Sequence, residues 1–152
     1  LFNAFYSLAL NPVAAKNFWK EVDLSGIYNL DKGHFFTETL LMSIVAIMKA
    51  ILFYLIVKVL YNKKLDLAQP FNIEMKRFIL NISYLTIGIG FFSNWGVDYT
   101  AWLAAKGVIM PDIQRLGFGG ADVWLFMGVT LIVIAQVFKR GIEIQSENDL
   151  TI

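Results

Sequence analysis

The longest apolar run of the chain, residues 35–61, contains three charged side chains, Glu38, Lys49 and Lys58, and any chemistry has to be sought there first. A charge at membrane depth is costly unless it is paired or hydrated, so such residues mark ion paths, ligand sites or structural pairs. Glu38 and Lys49 lie about three helical turns apart and share a helix face. Ser43, Ala46 and Ala50 sit near that face, and small residues there let a second helix approach. Lys49 is therefore expected to point into a bundle. Asp122, near the start of the last apolar run, is the acid best matched to it in depth, with Tyr84, Thr86 and Thr130 as neutral alternatives. Two readings stay open: an ion-coupled or ligand-binding centre, or a structural pair that fixes helix register, with snorkelling of the Lys49 stem as a variant of the second. Lys58, on the opposite face near the end of the run, is expected to snorkel.

Other polar groups carry less. Asn81, Tyr84 and Gly88 recur at helical spacing and form a polar notch, the pattern of hydrogen bonding between membrane helices. His34, the single histidine, has only Asp31 and Glu38 close in sequence, too thin a donor set for a metal. The GFGG at 117–120 lacks the Lys-Ser/Thr and the preceding strand of a phosphate loop, and reads as a turn. The absence of cysteine excludes disulfides, thiolate metal sites and cysteine nucleophiles together. No nucleophile elbow, zincin helix or paired-carboxylate motif occurs. The sequence predicts neither an enzyme nor a cofactor.

The elements that position these residues follow from composition. Of 152 residues 57% are hydrophobic and 16% charged, against about 25% charged in soluble domains, and the mean hydropathy is +0.59. Water is the wrong solvent for such a chain, and membrane lipid is its expected surrounding. The net charge of +1 gives no basic excess for direct nucleic-acid binding. No linker or repeat divides the chain, which predicts one all-α membrane domain over 1–152. Apolar runs at about 35–61, 78–97 and 121–138 give three complete spans. Residues 1–10 are too short to span and read as the end of a helix whose beginning precedes this sequence, which implies four spans in the full-length protein. That helix should stop at Asn11-Pro12. Residues 13–34 read as an aqueous loop with Asp23 or Ser25 capping a short turn, and Asn72 opens the helix that leads into the second span. Residues 98–120 read as a short interfacial helix followed by a glycine-rich turn.

Charge predicts the orientation. With Lys49 set aside, the other 12 of the 13 basic residues divide seven to five, and the majority side holds the 62–77 loop and the 139–152 tail. The positive-inside rule then puts that loop and the tail in the cytoplasm, with Trp19, Trp95, Trp102 and Trp124 toward the outer interface.

The tail is the second informative stretch. Lys139 and Arg140 sit at headgroup depth, and Glu143, Gln145, Glu147 and Asp149 follow. An acidic tip repels anionic lipid, so Arg140, Glu143, Gln145, Glu147 and Asp149 are candidates for contact with a cytoplasmic protein. The run from Phe138, Lys139, Arg140 and Gly141 through Glu143, Gln145, Glu147, Asp149, Leu150 and Thr151, with Gln69-Pro70-Phe71 upstream, resembles the YoaS-like family of bacterial multi-pass membrane proteins, catalogued as a domain of unknown function. That resemblance implies four transmembrane helices, the bacterial inner membrane, no established catalytic residues and a link to a small helix-turn-helix regulator. The expectation is a regulatory or signalling component. The alternative is a small transporter or exporter, homo-oligomeric in form, with a polar path near Lys49.

Overall fold

The computed structural model describes residues 2–19, 22–61 and 71–149, and among these the chain is helical apart from turns and one isolated bridge between Trp19 and Val22. Helix α1 is Phe2–Ala9, and it stops ahead of Asn11-Pro12 as expected. The Asn11 side chain accepts a 3.0 Å bond from Val13 N and opens a 3₁₀ turn, Pro12–Asn17. Asp23 accepts a 2.9 Å bond from Ser25 N at the start of α2, Ser25–Leu30. Asp31 then takes extended backbone, and its Oδ1 accepts from Gly33 N at 2.6 Å and His34 N at 3.1 Å. These bonds satisfy first-turn donors that have no partner inside a helix. Helix α3, Lys32–Tyr61, therefore starts three residues before the apolar run.

Helix α4 is Ile73–Ala105, capped by Asn72, whose Oδ1 accepts a 2.7 Å bond from Met75 N. Its length corrects the expectation of a break near 98 and a separate interfacial helix. Asp98 does not end the helix because it lies on its exposed side, where Asn94 one turn earlier donates a 3.2 Å bond to it. The same helix buries Thr100 and Leu103. Glycines at positive φ, Gly107, Gly117 and Gly120, turn the chain toward α5, Ala121–Asp149. Residues 62–70, which hold Lys63, Lys64 and the Gln69-Pro70 pair, and residues 150–152 lie outside the described residues.

Helices α3, α4 and α5 are each long and apolar enough to cross a membrane. In the most apolar 18-residue windows of α3 and α5 only 11% is buried inside the protein, and in that of α4 33%. Phe53, Phe126, Val129 and Val133 project outward at 58–75% exposure. Faces of that kind are stable only against hydrocarbon, which removes the cost of leaving them unburied.

The chain divides into two compact units. The first comprises Leu1–Ile47 with Phe91–Ala121. Its core gathers Phe18, Leu24, Ile27, Phe35, Leu103 and Phe118. Phe18 and Tyr28 meet Phe35 edge-on at 5.7 and 5.3 Å, and Gly96 leaves room for the Phe118 ring, which a Cβ would strike at 2.5 Å. The second comprises Met48–Gly90 with Asp122–Ile152. There α4 and α5 approach through small residues: Ser83 Oγ donates a buried 3.0 Å bond to Gly128 O, Gly90 lies against Leu125, and Gly141 lies against Phe71, which also packs on Phe138.

Candidate intramembrane polar centres

Glu38 is wholly buried in the first unit. It is held by α3 one turn after His34, and Thr100 of α4 reaches it with a 2.9 Å contact to Oε1. The Thr100 hydroxyl also lies 2.8 Å from Gly96 O, one turn back on its own helix. Glu38 Oε2 has no hydrogen-bond partner among the described residues, and neither has the buried Ser93 Oγ. Ser93, Gly96 and Thr100 recur at turn spacing on α4, so one face of that helix supplies all three. His34 sits beside this centre in chain terms: its Nδ1 is 2.7 Å from Tyr99 Oη, and its ring meets Trp102 edge-on at 5.3 Å.

Lys49 belongs to the second unit, where α5 brings the Trp124 ring to 5.5 Å from its Nζ. The sequence singled out Asp122 as the residue facing Lys49. The structure puts the ammonium over the ring of Trp124, two residues further on. An aromatic face attracts a cation by its quadrupole. Lys58 lies over Tyr54 at 5.7 Å, one turn away on the same helix and in keeping with a snorkelling stem.

The Asn81–Tyr84 notch occupies a different place from the one its spacing predicts. Both residues are exposed, Tyr84 at 63%, while the buried polar residues of that stretch are Ser83 and Thr86. Only Gly88 of the notch packs inward, against Met48. In the tail, Arg140 and Glu143 form a 3.1 Å ion pair, with Lys139 at 3.9 Å from the same carboxylate, all on an exposed face. Gln145 is half-buried, Glu147 is exposed, and Asp149 is the last residue of α5.

Outside the spans, Asp23, Ser25, Gly26, Ile109, Met110, Pro111, Asp112 and Arg115 line an open cleft of about 450 Å³. The Ser25 hydroxyl and backbone N–H, with Lys16 adding to them, hold the Asp23 carboxyl below the usual range. Among the described residues no three His, Asp or Glu side chains gather as a metal site.

Nothing in the sequence singles out Thr100 or Ser93, and Trp124 stands out there only as an interfacial aromatic. Thr100 had one available signal, its place one turn after Gly96 on an apolar face. Its pairing with Glu38 spans a sequence separation that no local pattern encodes.

Three apolar helices with buried polar contacts and outward-facing hydrocarbon side chains define a multi-pass membrane protein. Over residues 9–152 the chain matches the family described as "Protein of unknown function (DUF2975)", and it belongs to that family. No curated protein and no solved structure matches it.

Proposed function

We propose that the protein is a non-enzymatic regulatory or signalling component of the bacterial inner membrane, whose C-terminal segment contacts a protein partner in the cytoplasm. One observation carries this reading: α5 runs unbroken over 29 residues, Ala121–Asp149, about 43 Å at ~1.5 Å per residue. A single rigid element thus joins Trp124, beneath Lys49, to the charged surface of Arg140, Glu143 and Glu147. A change in how Lys49 engages Trp124 would shift or rotate α5, and the tail surface would move with it. The acidic tip suits a basic partner, such as a small helix-turn-helix regulator. The basic residues flanking the spans support a cytoplasmic tail.

The test is affinity capture of partners from bacterial membranes with the whole chain, a variant lacking 141–152, and Lys49→Met. Deletion should abolish capture and Lys49→Met should alter it. A partner still captured without 141–152 refutes the tail as the contact. A second reading, a small transporter or exporter, is favoured by one observation, the buried Glu38 carboxyl with an oxygen that meets no donor among the described residues. Ion or solute flux in proteoliposomes that is lost on Lys49→Met while partner capture persists would select it.

A further inference from the structure

Buried polar atoms without partners are uncommon, and each needs a physical account. Among the described residues two side-chain atoms are in that position, Glu38 Oε2 and Ser93 Oγ, and both belong to the first unit. Glu38 Oε1 and the Gly96 carbonyl lie 2.9 and 2.8 Å from the same Thr100 hydroxyl. That hydroxyl has one hydrogen and can donate once. Thr37, Thr39, Thr86 and Thr130 each give theirs to the carbonyl four residues earlier. If Thr100 does the same toward Gly96, its contact with Glu38 holds only when the carboxyl supplies a hydrogen. With that hydrogen on Oε1 the donors run in one direction, Glu38 to Thr100 to Gly96. Without it, a carboxylate lies out of water with at most one donor for its two oxygens, a costly arrangement.

We infer that Glu38 is a reversible proton-binding site in which the carboxyl, Thr100 and the Gly96 carbonyl form the bound state. Uptake forms one O–H bond at Oε1 from a proton of the aqueous phase, breaks no bond in the protein and removes one negative charge from the contact. Within the first unit the other ionisable groups of these helices are Lys32 and His34 on α3 and Asp98 and Tyr99 on α4, with Asp31 just before α3, Tyr28 on α2 and Lys106 just after α4. His34 is engaged with Tyr99, Asp98 with Asn94, and Lys32 with the Tyr28 ring; no described hydrogen bond joins any of them to Glu38. Release of the proton leaves a buried charge next to Gly96, where α4 lies against Phe118. Proton loss is thereby coupled to loosening of that packing, whether or not the tail binds a partner.

Infrared difference spectroscopy of the full chain in lipid nanodiscs tests this, because a carboxylic acid has a carbonyl band that a carboxylate lacks. Wild type, Glu38→Gln and Thr100→Val are titrated over the pH range in which the helical signal is unchanged, in sodium chloride and in choline chloride. One acid band is expected that disappears as pH rises, is missing in E38Q and moves to higher frequency in T100V, which removes its acceptor. Glutamate labelled at the carboxyl carbon assigns the band in wild type should E38Q misfold, and Glu38→Asp should move it without removing it. The inference is overturned by the absence of any acid band that E38Q removes, by a band unchanged across the whole titration, or by a band that responds to sodium and not to pH.

Discussion

Replacing Gly128 by valine tests how α4 and α5 are held together. A Cβ at Gly128 would lie 2.5 Å from Ile87 Cγ1, 3.0 Å from Ile87 N and 3.2 Å from Ser83 O. The first neighbour can rotate away, but the other two are backbone, so the helices must part by a few tenths of an ångström. Overpacking of this kind costs about 1–3 kcal/mol, and the better helix propensity of valine over glycine returns roughly 0.5 kcal/mol. The net loss is about 0.5–2.5 kcal/mol, or roughly 2- to 60-fold in the folding equilibrium at about 1.4 kcal/mol per tenfold. Parting the helices also stretches the 3.0 Å bond from Ser83 Oγ to Gly128 O. Ser83→Ala removes only that bond, and bonds between membrane helices average about 0.6 kcal/mol. The double variant should cost less than the sum, because both changes remove the same contact. Reversible unfolding in mixed micelles with increasing dodecyl sulfate, followed by helical circular dichroism, gives each difference. Thr130→Val, whose hydroxyl bonds only its own helix, is the control and should stay within about 0.5 kcal/mol of wild type. A G128V protein as stable as wild type, or less perturbed than S83A, refutes the close approach.

Four further outcomes are expected. In a background whose only tryptophan is Trp124, Lys49→Met should change the emission of that residue and cost about 0.5–2 kcal/mol, the range for a cation over an aromatic face; unchanged emission places the ammonium elsewhere. Gly117→Ala and Gly120→Ala, at φ of 84° and 74°, should each cost about 1–2 kcal/mol from left-handed strain, read by the same unfolding assay. Glu143→Gln removes two exposed ion pairs and should lower the helicity of an isolated tail peptide slightly, by about 0.3–0.5 kcal/mol per pair and less in high salt. Asp23 is held below the usual carboxylate range mainly by the Ser25 hydroxyl. A lowered folded-state value means its contribution is present above the ordinary aspartate pKa and fades as pH falls through the lowered one. Amide exchange at the start of α2 should therefore quicken in acid, and Asp23→Asn should remove that dependence.

What the sequence disclosed tracks the range of the forces involved. The apolar runs at 35–61 and 121–138 marked two helices because lipid solvation acts residue by residue. The stops at Asn11-Pro12 and the starts at Asp23 and Asn72 were legible because caps are local. The α3 start is hidden from an apolar count, which begins at Phe35, while Asp31 caps the helix at Gly33 and His34. The reach of α4 past Asp98 is not legible in the sequence, because a charge after an apolar run looks like a boundary, whereas on an exposed helix side it costs little. The polar centres were legible by residue type and not by partner. Glu38 and Lys49 stood out as intramembrane charges, yet Thr100 and Trp124 reach them across the fold, through contacts that only packing sets.

At 33 residues, α4 measures about 50 Å along its axis, against a hydrocarbon layer of about 30 Å. Such a rod must lean or protrude, and packing against its neighbours together with its interfacial aromatics sets the balance between the two. Where it protrudes, its polar ends stand beyond the hydrocarbon, so changes made there should be felt in water rather than in lipid.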